Sequence, residues 1–115
     1  IDAELDFSDI TTSFNNILKQ FEPFGPENMS PLFVTKNVMD RGYSKAVGLD
    51  NEHLKLHMCT EKEKLSEMNG IAFKLGFHSE YVSKGLAFDI CYSIQENEWK
   101  GNRSIQLVVK DIKTL

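Results

Sequence analysis

Near the start of the chain the apolar residues Ile10, Phe14, Ile17, Leu18 and Phe21 recur at three- and four-residue steps. That spacing lays one apolar stripe along a helix. It predicts a helix from Ser8 to Phe21, capped by Ser8 or Asp9, whose short polar side chains can accept from the free first-turn N–H groups. Pro23 stops it, and Pro23-Phe24-Gly25-Pro26 forces an extended turn, because each proline fixes its own φ and disfavours helix in the residue before it. Beyond that turn the period becomes two. Leu32 to Val38 is a first strand-like run. In His53 to Cys59, Leu54, Leu56 and Met58 share one face while His53, Lys55, His57 and Cys59 share the other. Ile71, Phe73 and Leu75 alternate with Ala72 and Lys74. Leu86, Phe88, Ile90, Tyr92 and Ile94 alternate with Ala87, Asp89, Cys91 and Ser93. Ile105, Leu107 and Val109 are expected inward, with Ser104, Gln106 and Lys110 outward.

Between the last two runs, Asn97-Glu98-Trp99-Lys100-Gly101-Asn102-Arg103 holds a Gly101-Asn102 pair that tolerates the positive φ of a hairpin turn. Ser79 to Lys84 is expected to add one helical turn. Five short strands, each polar on one side, in under ninety residues suit a small closed or nearly closed antiparallel barrel. Periodicity alone leaves an OB barrel, an SH3-like barrel and a small sandwich open.

Composition narrows the class. The 115 residues are 41% hydrophobic and include eight Phe, three Tyr and one Trp. That is enough for one folded core and too little for two domains. No uncharged apolar run reaches the length of a membrane span, and the start lacks the pattern of a secretory signal, so a soluble, cytoplasmic protein is expected. The chain starts at Ile1, which suggests a piece of a longer polypeptide. Cys59 and Cys91 are expected to be reduced packing residues in that compartment. The net charge of −4 argues against a phosphate binder, but it is unevenly spread. Residues 1–31 hold six acidic groups against Lys19 alone; residues 32–115 hold twelve basic and eleven acidic groups. A local basic face on the β region is therefore allowed.

A resemblance sharpens this reading. Pro23-Phe24-Gly25-Pro26-Glu27-Asn28-Met29-Ser30-Pro31-Leu32-Phe33, then His53-Leu54-Lys55-Leu56, Ile71-Ala72-Phe73, and Asn97 to Leu107 followed by Lys110-Asp111-Ile112, resemble in order the successive pieces of the RecJ OB domain. The similarity runs from about Phe21 to Ile112. It implies a mainly β fold: a five-stranded OB-fold antiparallel barrel over residues 31–115, with residues 1–30 as an N-terminal linker strand or helix and turn from the parent polypeptide. It also implies a single-stranded-DNA-binding module of a 5′-3′ exonuclease active in repair and recombination, with the catalytic domains of the parent polypeptide as neighbours. The alternative is a structural or protein-interaction barrel docking on those domains or on a repair partner. In this family Mg or Mn is held by Asp and His residues of an Asp-His-His-bearing phosphoesterase domain, and that motif does not occur here. No cofactor and no catalysis are therefore expected of this stretch.

Outward parity supplies the candidate contacts. Lys55 and His57 share the solvent face of one strand, Lys74 points outward from another, and Lys100 and Arg103 flank the hairpin carrying Trp99. Together they are expected to line one groove for phosphates, with Arg103 pairing and stacking and Trp99 either stacking on bases or capping the barrel end. Lys36 and Arg41 are weaker candidates. His53, His57 and Cys59 have zinc-ligand chemistry but spread over ~20 Å at ~3.3 Å per residue, too open for one ion. Glu61 to Glu67, interleaved with Lys62 and Lys64, reads as a solvated loop.

Overall fold

The computed structural model of the chain describes residues 2–20 and 30–115. In chain order the elements are β1 (Ala3–Glu4), a 3-10 turn at Phe7–Asp9, α1 (Thr12–Lys19), β2 (Phe33–Asp40), β3 (Lys45–Val47), β4 (His53–Thr60), β5 (Met68–Ala72), α2 (Ser79–Ser83), β6 (Phe88–Trp99) and β7 (Asn102–Thr114). The protein is mainly β. Its seven strands form one sheet in the order β1-β2-β6-β7-β5-β4-β3, and β2 also pairs with β4. That extra pairing closes a ring of five strands, β2-β6-β7-β5-β4, around the core.

Alternation fills the core where the sequence is regular. Leu54, Leu56 and Met58 of β4, Phe88, Ile90 and Tyr92 of β6, and Leu107 and Val109 of β7 are buried together. Two bulges then reset the parity. Between Thr35 and Val38, β2 carries one more residue than β6, and Asn37 takes a φ of 57° there while its N–H donates to Asp89 Oδ1 at 3.0 Å. Phe33, Thr35 and Val38 consequently all face inward. On β7 the extra residue is Lys110, so that Ile112 rather than Asp111 follows Val109 into the core.

Several expectations are corrected. The sheet has seven strands, not five; β1 and β3 are the additions, and two- and three-residue strands carry no readable period. The pairing is not wholly antiparallel, since β1–β2 and β5–β7 are parallel. β5 is inverted: Gly70 and Ala72 are buried while Ile71 is half-buried and Phe73 exposed. Space decides this, because a Cβ on Gly70 would stand 3.0 Å from Met58 Cε and 3.3 Å from the Leu107 carbonyl, so only small residues fit inward between β4 and β7. Cys59 keeps the face opposite Met58 but is buried there rather than exposed to solvent. Ser93 is buried and Leu86 exposed, both against alternation. Cys59 and Cys91 remain free thiols.

The first helix is shorter than its stripe. Thr11, not Ser8 or Asp9, is the cap, its Oγ1 accepting from the Phe14 N–H at 3.1 Å. Ser8 and Asp9 belong to the preceding 3-10 turn, where the Asp6 N–H donates to Asp9 Oδ2. Phe7 and Ile10, on either side of that break, are buried in the same core as the ring of strands, and Phe14 and Leu18 of α1 pack against it. Ile17 is exposed. Phe21 and the Pro23–Pro26 turn lie outside the described residues. The expected turn after Ser79 is α2, where Val82 is buried and Tyr81 donates its hydroxyl to the Ala87 carbonyl at 2.7 Å.

Candidate nucleic-acid interface

β4 offers its outer face to β3 on one side and β5 on the other. The register sets Lys45 directly opposite Lys55, and Val47 opposite His53. Across the other edge, Lys55 faces Ile71 and His57 faces Asn69. Tyr43, Lys45, Lys55, His57, Asn69 and Gln106 of β7 line an open groove of about 820 Å³ on this face. The loop between β2 and β3 is clipped down by Ser44: its Oγ accepts from the His57 N–H at 2.9 Å, while the Arg41 N–H donates to the His57 carbonyl at 2.8 Å. That clip stands Tyr43 up, 75% exposed, with its ring 5.3 Å from the imidazole of His57.

Charge within the groove is unequal. Glu67 bridges Arg41 and His57 at the rim, with Arg41 Nε 2.8 Å from Oε1 and His57 Nε2 3.2 Å from Oε2. The Arg41 hydrogen bond, and then that of His57, hold the Glu67 carboxyl below the usual carboxylate range, while the same Glu67 contact raises Arg41 further. His57 Nδ1 is buried with no hydrogen-bond partner among the described residues. A proton there would be a buried donor without an acceptor, so the geometry favours the tautomer that points Nε2–H at Glu67. Lys45 and Lys55, by contrast, have no ion pair among the described residues, although like charges directly opposite in a ladder repel.

The residues singled out from sequence separate into groups. Lys55 and His57 stand together in this groove, His57 half-buried. Lys74 is not on a strand: it follows β5 in a left-handed turn, φ 63°, and its N–H donates to His53 Nδ1 at 2.9 Å. Trp99 is 73% exposed at the hairpin end, so it does not cap the barrel, and Lys100 Nζ lies 5.7 Å from its ring centre. The turn pair is Lys100-Gly101, both at positive φ, one residue earlier than the expected Gly101-Asn102. By ladder parity Trp99 shares the face of Asn97, which donates to Gln106 at 2.9 Å, and so the face of the groove. Arg103, opposite Glu98, points the other way, its Nε 3.9 Å from Glu96. Lys36 pairs with Glu4 and Arg41 with Glu67.

Tyr43, Lys45, Asn69, Gln106 and Phe73 were not read from the sequence as part of this face. A signal existed for the first two: Arg41-Gly42-Tyr43-Ser44-Lys45 sets an aromatic between basic residues in a Gly- and Ser-bearing loop. The segment Glu61 to Glu67 is more than solvated surface, since Glu67 forms the groove's rim and Lys62 reaches Asp6 at 3.0 Å. His53 and His57 each turn to a different carboxylate, Cys59 is buried, and no three ligating side chains converge among the described residues. No helix among those residues is long and apolar enough to cross a membrane.

The family model described as the RecJ OB domain matches residues 1–111. The single-stranded-DNA-specific exonuclease RecJ of Bacillus subtilis is 25% identical over 111 residues, which cover 96% of this chain and 14% of that protein. Crystal structures of RecJ from Thermus thermophilus align on the fold: the Mn2+ complex at TM-score 0.66 and 19% identity over 98% of this chain and 15% of that one, the Mg2+ complex at 0.60 and 20% over 89% and 14%. The mitochondrial single-stranded DNA binding protein Rim1 of S. cerevisiae aligns at TM-score 0.56 and 19% identity, covering 76% of this chain and 96% of its own. The chain thus spans about a seventh of the RecJ proteins it matches, and over nearly all of its own length it belongs to the RecJ OB domain family.

Proposed function

We propose that this chain is the single-stranded-DNA-binding module of a RecJ-type exonuclease, and that the ring β2-β6-β7-β5-β4 is its five-stranded OB barrel. The observation that carries the reading is the Lys45–Lys55 pair. Two like charges placed face to face, with no carboxylate paired to either among the described residues, cost the sheet stability. A phosphate lying between them removes that cost. The surrounding surface has the parts a sequence-tolerant strand binder needs: a basic floor, an exposed ring at Tyr43, and amide side chains at Asn69 and Gln106. The outer faces of the second and third barrel strands, here β4 and β5, are where OB folds take oligonucleotides.

Lys55 and His57 line the floor; Trp99 and Lys100 prolong the same face toward the hairpin end. Lys74 stands at its far edge, and Arg103 is left to Glu96. In the whole enzyme the module holds a strand so that its 5′ end reaches a metal-dependent, Mg or Mn, catalytic core supplied by other parts of the polypeptide, which are also its structural partners. The chain itself binds and does not cleave. Residues 31–115 form the OB unit, with residues 2–20 as an added strand and helix packed on it.

Anisotropy of labelled oligo-dT of about 16 nucleotides, the upper end of one barrel's reach, tests this across a salt series. Binding is expected to weaken with salt, and Lys45→Ala with Lys55→Ala should flatten the log–log salt slope by about 1.4, at ~0.7 per lost phosphate contact. No binding at the lowest salt, or an unchanged slope in the double variant, contradicts the proposal.

A further inference from the structure

The outer face of β4 carries the same device twice. At one end the exposed Tyr43 ring leans on His57, 5.3 Å between centres, and His57 Nε2 is 3.2 Å from Glu67. At the other, Phe73, 58% exposed, meets the ring of His53 edge-on at 5.3 Å and 79°, and His53 Nε2 is 3.3 Å from Glu52. His53 is fixed further by the Lys74 N–H on its Nδ1. Gly48, at φ 85°, leaves room beside it, since a Cβ there would stand 2.8 Å from the imidazole. Both histidines therefore point Nε2–H at a carboxylate, and each braces an aromatic ring that solvent still reaches. They sit four residues apart on one face of one strand, ~13 Å at ~3.3 Å per residue, with Lys55 and its partner Lys45 between them.

Burial alone does not account for two large rings left exposed, each against an imidazole. An exposed ring pre-set by its neighbours loses little freedom when a flat partner stacks on it.

We propose that Tyr43–His57 and Phe73–His53 are twin base-stacking platforms, each taking one base of a single strand. The phosphates between those bases lie on Lys45 and Lys55, so that the strand's path follows β4. This rests on the groove reading above and adds the second platform, Phe73, to it. The strand then engages this face without needing the hairpin tip at Trp99.

The test uses the chain with Trp99→Phe, so that a single reporter tryptophan can be placed by Phe73→Trp or Tyr43→Trp, titrated with oligo-dT. Both reporters are expected to quench on binding. Phe73→Ala is expected to weaken oligo-dT binding about 5- to 150-fold, the range for one lost stacked base, with Phe73→Tyr retaining it. Thermal melting of each variant shows that it is folded, as expected for a change at an exposed ring. Quenching at Tyr43→Trp but none at Phe73→Trp, with Phe73→Ala binding like the parent, overturns the second platform while leaving the groove intact. It would assign the exposed Phe73 to a protein contact instead. Absence of oligo-dT binding by the parent chain overturns both readings.

Discussion

The groove on β4 and the opposite face of the β6–β7 hairpin hold similar residue types and treat them differently. Behind the hairpin, Lys19 Nζ at 2.6 Å, Asn15 Nδ2 at 2.9 Å and Arg103 Nε at 3.9 Å all converge on the carboxylate of Glu96. The Lys19 contact, with Asn15 and Arg103 behind it, holds the Glu96 carboxyl below its ordinary range. Every one of these groups already has a partner, and together they fasten α1 to the hairpin. Across β3 and β4, Lys45 and Lys55 face each other with no ion-pair partner among the described residues. Saturated charge is structure; charge left against its own repulsion is available to a ligand.

The largest effect that sharpens this contrast is charge reversal in the groove. Lys55→Glu is expected to weaken oligo-dT binding on the order of 10- to 100-fold at low salt, read by anisotropy, since it loses one phosphate contact and repels the next. Its melting temperature should hold or rise, because Lys45 gains a partner. The reciprocal change, Glu96→Gln, should lower the melting temperature and leave oligo-dT affinity within about twofold, as the proposed binding face puts no phosphate contact on the hairpin's back. Its pH dependence has a definite sign. A carboxyl whose folded pKa is depressed stabilises the fold above its unfolded value, here 4.5, and that stability is lost as pH falls through the folded value. Acid melts should therefore show less pH dependence below 4.5 in Glu96→Gln than in the parent.

The core beneath both faces gives a titration of the opposite sign. Tyr92 is buried with its hydroxyl 2.7 Å from Thr35 Oγ1, and burial pushes its phenol up to about 12. A raised acid pKa favours the protonated fold, so stability is expected to fall as pH rises from 10 towards 12. Tyr92→Phe should cost about 1 kcal/mol near neutrality, the worth of a typical buried hydrogen bond, and remove that alkaline loss; chemical denaturation at about pH 7 and about pH 11 reads both. Smallest of all, Arg103→Ala is expected to change oligo-dT affinity by less than about twofold, since Glu96 already engages it. A larger loss would move the binding face to the hairpin's back.

What the sequence discloses follows how strongly each position is constrained. β4, β6 and most of β7 are legible because large apolar residues alternate there and the core has room for them. β5 is read inside out because Gly70 and Ala72 carry no hydrophobic signal, yet only they fit inward between β4 and β7. The bulges at Asn37 and Lys110 are invisible to a period-two pattern, and so is the parity they reset. Of the candidate site, Lys55 and His57 are found by parity alone, whereas Lys45 and Tyr43 depend on a three-residue strand and a loop clip through Ser44 that no local period encodes. Arg103 lies on the hairpin face away from the groove, which the sequence does not disclose, because flanking a turn does not say which face of the ladder a residue occupies.

The most direct test of the β4 groove as the strand-binding face is an amide chemical-shift map of the chain titrated with oligo-dT at low salt. The largest shifts are expected at Tyr43, Lys45, Lys55, His57, Asn69 and Phe73, with α1 and the Glu96–Arg103 corner unmoved. Shifts concentrated on α1 and that corner, or none anywhere, would contradict it.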